Sequence, residues 1–402
     1  MTSQGLSMRP YKHQSEIALQ GYNILKANGL VYLAMEERTG KTLTSILIAE
    51  MSKAISILVI TKKKAIPGWE DTLENYKEAS KDYTVINYES LHKLDNTKSY
   101  DLIIVDEAHA NLSAFPKIGK IWKLVYRFTK DKPIIFLSAT PSAQTYGQLY
   151  HQLKLSSWSP FKTYKNFYDW HRAYGIEKII YLSGRQVKQY NEVKSKAFED
   201  CNHLFLSYTR AELDFKHEPE DIIHLVELQK ETKELYNELM QYSCIQTLEY
   251  MADTPMKLLM GLHQLEGGTL KLDDKSILLD NTEKIDFILN EFGDINDLVI
   301  FYHYKQEEHK LKSFFKKATI LQATSFAEGV DLSMFKTLVI YSMDFSTARY
   351  TQRRARQCNM KRDEPIDVHY LLCENTISSQ VYETVAVNKK NFVNSYFNRE
   401  EI

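Results

Sequence analysis

Two short runs of this 402-residue chain carry residue types able to handle phosphate esters. In the first, the apolar run LVYLAM (30–35) leads into EERTGKTLTSILIAE, so Gly40-Lys41-Thr42 falls where a strand hands over to a helix. Backbone N–H groups and a helix N-terminus at such a junction cradle phosphate oxygens, the Lys41 ammonium reaches the β and γ oxygens, and the Thr42 hydroxyl can ligate Mg2+. The full glycine-rich pattern asks for glycine five residues before Gly40, where Met35 stands, so the triplet alone also reads as an ordinary helix start. The second run, DLIIVDEAH (101–109), ends an apolar strand on Asp106 and Glu107. One carboxylate can hold Mg2+ and its neighbour can orient an attacking water. Adjacent carboxylates at the end of a buried strand are destabilising unless a cation or hydrogen bonds compensate them. The two runs together point to hydrolysis of a nucleoside triphosphate.

Elements must bring these runs together. Short apolar runs at 30–35, 55–61, 83–88, 101–106 and 133–140 alternate with amphipathic stretches, the pattern of buried parallel strands in an α/β domain. Residues 141–222 are rich in Tyr, Trp, Lys and Gln and suggest helices and loops inserted after the first sheet. Residues 229–265 are helix-compatible, with Leu235, Leu239, Tyr242 and Ile245 at helical spacing. Strand-like runs return at 297–303, 318–324, 337–343 and 368–373, so a second α/β unit follows.

Composition narrows the class further. With 51 basic and 52 acidic side chains, 44% hydrophobic and 12% aromatic, the chain can fill more than one core and is neither disordered nor collagen-like. A formal charge of −1 argues against coating nucleic acid through bulk positive charge. Cys201, Cys244, Cys358 and Cys373 lack metal-site spacing and are too few for a disulfide framework, which suggests a reducing compartment. No apolar run approaches the roughly 18–20 residues that span a bilayer, and the N-terminus has no apolar signal region. The expectation is a cytoplasmic protein, from a prokaryote or a virus-infected cell, without a membrane partner. Residues 1–155 carry 20 basic against 15 acidic side chains, and the remainder 31 against 37. Within that acidic remainder, Arg349, Arg353, Arg354, Arg356, Lys361 and Arg362 face a single Asp344 between 343 and 362, a concentration that calls for a partner or a solvated helix face.

At DEAH followed by Ser138-Ala139-Thr140-Pro141, the chain resembles the superfamily 2 helicases and translocases, and in detail the Swi/Snf-type branch, in the compact form carried by bacteriophages. The resemblance extends over most of the chain. MRPYKHQ (8–14) is similar to the adenine-recognition segment. LVITKKKAIPGW (58–69) and VINYESL (85–91) resemble strand-contacting motifs, and LFLSYTRAEL (204–213) and LMGLHQLEGG (259–268) resemble the linking and second-lobe entry segments. LVIFYHY (298–304), SFAEGVDLS (325–333) and QRRARQCNMKRDEPI (352–366) resemble the last three helicase motifs.

The resemblance implies two RecA-like parallel-sheet lobes with helical insertions, residues 1–222 and 223–402, with insertions at about 142–222 and 229–270. It implies that Lys41, Thr42, Asp106 and Glu107 bind and hydrolyse Mg·ATP. Gln14 would read the adenine, and Arg38, Thr39 and Gly40 would complete the phosphate loop. His109, Ser138 and Thr140 would couple the phosphate state to lobe movement. From the second lobe, Glu328, Gly329 and Asp331 would approach the nucleotide, with Gln352 and Arg356 completing the site. Two departures stand out. Arg38 occupies a position often glycine in related loops, which makes a positive φ costly and offers a phosphate contact instead. Asn359 stands where the family has its second arginine, and loss of such a finger is worth roughly 10³–10⁵ in rate. Arg356, Lys361 or Arg362 replaces its charge, or turnover is slow without a partner.

Lys62, Lys63 and Lys64 directly follow a strand, where a loop reaches backbone phosphates. Trp69, Tyr88, Tyr302 and Tyr304 are candidate base-stacking residues, and Thr324, Ser325 and Arg353 candidate phosphate contacts in the second lobe. Three readings follow: an ATP- and Mg2+-dependent monomeric DNA translocase or helicase acting in replication, recombination or repair; an ATP-gated DNA clamp or recruitment module with weak hydrolysis; or an RNA-dependent ATPase. With only two small basic surfaces, around Lys62 and Arg353, specificity would come from DNA structure or from a protein partner.

Overall fold

The computed structural model describes residues 8–95, 98–142, 145–182, 185–213, 219–273, 275–323, 335–346, 350 and 367–388. The chain divides into two compact units, Met1–Asp214 and Phe215–Ile402. Each is built on one parallel sheet with helices between its strands, so the α/β fold of two RecA-like lobes expected from the sequence is the fold observed. Among the described residues no helix is long and apolar enough to cross a membrane.

In the first unit the sheet runs β3 (Asp82–Asn87), β2 (Ser56–Thr61), β4 (Leu102–Asp106), β5 (Ile134–Leu137), β1 (Leu30–Met35) and β8 (Phe205–Tyr208), all parallel. The four middle strands are the continuous apolar runs of the sequence, because both of their faces are buried. Tyr32 of β1 stacks on Phe136 at 5.4 Å and on Phe205 at 4.7 Å, which fastens β8 to the core. Helix α1 (Lys12–Asn28) precedes β1 and ends at Gly29, with φ 68°. A Cβ there would lie 2.5 Å from the Trp158 ring, so only glycine closes this turn.

The stretch expected to be helices and loops also contains strands. After α6 (Gly147–Leu153) and α7 (Phe167–Tyr174) come an antiparallel hairpin, β6 (Lys178–Leu182) with β7 (Arg185–Gln189), and then β8. Tyr150, Phe161, Phe167 and Trp170 form one aromatic cluster, with ring centroids 5.2–6.3 Å apart, and it anchors this region to the core. That cluster explains the aromatic richness noted in the sequence.

The second unit's sheet runs β15 (Thr319–Gln322), β14 (Leu298–Tyr302), β16 (Thr337–Ile340), β17 (Asp367–Cys373) and β9 (Glu220–Val226), again all parallel. Strand β9 spans residue 222, where the sequence reading places its lobe boundary, and it pairs along its whole length with β17. The helix-compatible stretch resolves into α9 (Lys230–Tyr242) and α10 (Pro255–Glu266), separated by the short pair Cys244–Ile245 and Tyr250–Met251. Ile245 therefore lies on a strand rather than on the helix that its spacing suggested.

One pair in this sheet makes the fold sensitive to acid. His224 Nε2 and His369 Nδ1 lie 2.9 Å apart across β9 and β17, with their rings stacked beside Phe287 and Phe292. Burial holds both pKa values below the ordinary 6.5, and the charge of His224 adds to the effect at His369. The unfolded chain therefore takes up protons that the folded unit resists, so the stabilisation is complete above about pH 6.5 and declines as the pH falls below it. Chemical denaturation from pH 7.5 to 5 should show falling stability, and His369→Gln should flatten that slope; an unchanged slope would remove the pair from the account.

Candidate active site

Parallel sheets gather ligand-binding groups at the carboxyl ends of their strands. In the first unit that edge carries the turn after β1, Thr61 of β2, Tyr88 after β3, Asp106 of β4, Ser138 after β5 and Arg210 after β8.

The turn after β1 folds around its own lysine. Lys41 Nζ donates to the carbonyls of Met35 and Glu36, at 2.8 Å each, and Thr39 Oγ1 donates to the Glu36 carbonyl at 2.6 Å. Burial lowers the Lys41 pKa, while the carboxylates of Glu107, Glu37 and Asp106 act the other way. Gly40 opens α2 (Lys41–Met51) with φ 86°, and a Cβ there would fall 1.9 Å from Gln14 Nε2. The expected adenine reader thus packs directly on the phosphate-loop glycine. Its Oε1 accepts from Tyr11 N at 2.9 Å, which fixes the side chain across the start of α1. Thr42 stands in the first turn of α2, beside Lys41.

Arg38 departs from expectation. A side chain at this position makes positive φ costly, yet Arg38 sits at φ 62°. Glu107 does the same at φ 51°. Left-handed backbone at a non-glycine residue costs on the order of 1–3 kcal/mol and persists where the surroundings over-determine it. Here it occurs once within each of the two segments, in the turn after β1 and at the end of β4.

Asp106 is held by two neutral donors on one oxygen: Thr61 Oγ1 at 2.6 Å and Trp69 Nε1 at 3.0 Å both end on Oδ2. Tyr88 donates its hydroxyl to the Asp106 carbonyl at 2.5 Å. Burial, and then the Glu107 charge, push the Asp106 pKa up, and the Thr61 and Trp69 bonds oppose this. Next to it, His109 Nδ1 lies 3.4 Å from Glu107 Oε2 and 2.7 Å from Ser138 Oγ, and Thr140 N donates to Ser138 Oγ at 3.0 Å. The structure therefore joins His109, Ser138 and Thr140 into one chain of contacts leading to Glu107. Buried Gln152 braces that chain: it accepts from Tyr32 at 2.6 Å and donates to the Pro141 carbonyl at 2.8 Å.

Among the described residues no group of three or more His, Cys, Asp or Glu could hold a metal ion. The chemistry of the edge instead suits a cation that takes one carboxylate and one hydroxyl from protein and the rest of its ligands from phosphate and water, the habit of Mg2+.

The aromatic residues expected to stack on bases do other work. Trp69 and Tyr88 are buried and orient Asp106. In the second unit, Tyr302 is buried with its hydroxyl on Glu308, and Tyr304 is buried with its hydroxyl 3.0 Å from His263 Nδ1. None of the four rings has a face free for a base. Lys63 and Lys64 are exposed and Lys62 half-buried at the carboxyl end of β2, on the same edge as Asp106.

The second unit gathers its motif segments around buried charge. Glu307 Oε2 accepts from His303 N at 3.0 Å, Tyr304 N at 2.9 Å and Ser342 Oγ at 2.6 Å, and burial pushes its carboxyl up to about 7. Lys284 lies 3.8 Å from Glu266 and donates to the Tyr341 carbonyl. Thr324, Ser325, Glu328, Gly329, Asp331, Arg349, Gln352, Arg353, Arg354, Arg356, Asn359, Lys361 and Arg362 lie outside the described residues.

Residues 36–149 match the family model for the DEAD/DEAH box helicase, a span that runs from the phosphate loop past Thr140. No curated protein matches the chain in sequence. Two solved structures from Sulfolobus solfataricus are similar over most of their length. The SWI2/SNF2 ATPase core in complex with dsDNA is 15% identical, covering 96% of this chain and 92% of that one at a TM-score of 0.44. The SWI2/SNF2 ATPase core domain is 15% identical, covering 98% and 93% at 0.43.

Residues of this edge that the sequence does not single out as part of the candidate site include Gln152, Arg210 and Glu37. Gln152 and Arg210 arrive from distant segments, and only the fold brings them in. Glu37 adjoins the phosphate loop in sequence, but an acid at that position looks like solvated charge until its burial is known. The Trp69 bond gives a direct test. Trp69→Phe keeps an aromatic ring but removes the N–H together with part of the indole's buried volume, so urea denaturation should show a loss of at least about 1.5–3 kcal/mol, the range for a hydrogen bond to a carboxylate, with a cavity contribution added; native stability would show that the indole does not bind Asp106.

Proposed function

We propose that the chain is a nucleic-acid-dependent ATPase that couples Mg·ATP hydrolysis to movement on DNA. The observation that carries this reading is the single sheet edge that holds Lys41 and Thr42 in a glycine-started helix turn alongside Asp106, Glu107 and the His109–Ser138–Thr140 chain. The family match over residues 36–149 supports it, because that span contains every one of these groups.

Lys41 would bind phosphate in exchange for the Met35 and Glu36 carbonyls that it now holds. Gln14 would close over the base end of the nucleotide. Thr42 and Asp106 would hold Mg2+, which when bound neutralises phosphate charge. Glu107 would orient the attacking water, held in place by His109. Ser138 connects that histidine to the backbone of Thr140, so a change at Glu107 reaches the segment that follows β5. Lys62 and Lys63 would meet backbone phosphates of the track. DNA is favoured over RNA by the Swi/Snf-type character of the sequence motifs, and a compact motor in the cytoplasm, serving replication, recombination or repair, is the corresponding role.

Steady-state ATPase assays without polymer and with single-stranded, duplex and forked DNA and RNA should show stimulation by DNA. Lys41→Ala and Glu107→Gln should each lower turnover by about 10²-fold or more. Turnover that no polymer stimulates would end the motor reading, and stimulation by RNA alone would move the track to RNA. Asn359 motivates the clamp as a second reading. Asn359→Arg should raise turnover if the finger charge is missing, and an unchanged rate would assign that charge to another cation.

A further inference from the structure

The phosphate loop of this chain contains two carboxylates, Glu36 and Glu37, in addition to Asp106 and Glu107 on the same edge. Lys41 is the only cation that the loop itself supplies in its buried part. Left so, the edge would repel the phosphates it has to bind, and Lys41 would be held by protein carboxylates rather than by ligand.

The second cation comes from Arg210, after β8. Its side chain is 7% exposed, with Nη1 3.5 Å from Glu36 Oε2 and 3.9 Å from Glu37 Oε2. Its backbone N–H donates to the same Glu36 oxygen at 2.8 Å, and Glu36 N donates to the Tyr208 carbonyl at 2.9 Å. Strand β8 is thus tied to the loop from both sides. Glu37 is 12% exposed, and both of its carboxylate oxygens are buried. Lys41 and Arg210 are the two cations acting on it. Arg210 also opposes the protonated form of Lys41, so the two cations share one electrostatic environment.

We propose that Arg210 is a positioning residue for ATP binding: by carrying the charge of Glu36 and Glu37 it leaves Lys41 available to the phosphates. This rests on the ATPase reading above. It deepens that reading by assigning a role to a residue outside the helicase-family span at 36–149. Without Arg210, Lys41 is the remaining cation among the described residues that acts on Glu37, and the ammonium has to divide its field between a buried carboxylate and the ligand. Removing the charge of Glu37, the more buried of the two, should then relieve most of the need for Arg210.

The test is a double-mutant cycle on the full chain, reading KM for ATP, kcat and thermal unfolding. Arg210→Ala should raise KM about tenfold or more, as expected when a buried charge loses its partner, with a smaller change in kcat. Glu37→Gln supplies the second single-variant reference of the cycle, and Arg210→Ala with Glu37→Gln should recover most of the affinity that Arg210→Ala loses, a non-additivity diagnostic of coupling. Native KM in Arg210→Ala overturns the proposal. A KM increase that Glu37→Gln fails to relieve also overturns it, since Arg210 would then act on the phosphates directly or on the fold. If Arg210→Ala and Arg210→Gln fold only in the Glu37→Gln background, the pairing is supported; failure to fold in both backgrounds assigns Arg210 to structure alone. Native protein and Lys41→Ala, assayed in parallel, separate the two claims. No ATP hydrolysis by the native chain defeats the ATPase reading, whereas lysine-dependent hydrolysis with a native-like Arg210→Ala defeats only this one.

Discussion

Charge held at the end of a doubly covered parallel sheet is the constraint on which the first unit depends. Strands β1, β4 and β5 are buried on both faces, so water cannot reach the groups at their ends from the sides, and every carboxylate there needs a donor or a cation supplied by the fold. Asp106 obtains two neutral donors on one oxygen. Glu107 obtains His109. Glu36 obtains a backbone N–H and the Arg210 guanidinium. Glu37 obtains the field of Lys41 and Arg210, yet burial outweighs them and raises its pKa.

The same constraint explains where the backbone is strained. Arg38 and Glu107 adopt left-handed conformations that a glycine would take more readily. At Glu107 this conformation turns the chain directly from β4 into the short helix Ala108–Leu112, so that Asp106 and His109 can both serve the sheet edge. At Arg38 it lets the loop close tightly enough for Lys41 to bond the carbonyls of Met35 and Glu36. In both places the conformation is over-determined by hydrogen bonds on either side, the condition under which such strain survives.

How much of this was legible in the sequence depended on the range of the interactions. The middle strands were readable because two buried faces leave a continuous apolar run, and the GKT and DEAH segments because their chemistry is local. Edge strands β8 and β9 were not readable: they are partly exposed, and polar residues interrupt them, as in EDIIHLV, so their pattern merges with that of loops. The aromatic residues misled for a related reason. A Trp or Tyr next to a motif reads equally well as a stacking platform or as a buried donor. Only burial shows that Trp69 and Tyr88 spend their polar atoms on Asp106.

Arg210 illustrates the limit of local reading most clearly. In sequence it is one arginine in SYTRAEL, with Glu212 as its nearest acid, and an isolated pair of that kind is worth little at a surface. In the fold Glu212 is committed elsewhere, accepting from the backbone and hydroxyl of Thr209, and Arg210 turns instead to two glutamates of the phosphate loop. The parallel pairing of β8 with β1, in which Tyr208 stands opposite Met35, determines that outcome. A slip of one residue in that register would shift the segment that carries Arg210 relative to the loop after β1 and separate the guanidinium from its glutamates. Fixing β8 through the Tyr32–Phe205 stack is therefore as much a condition of the candidate site as the loop sequence itself.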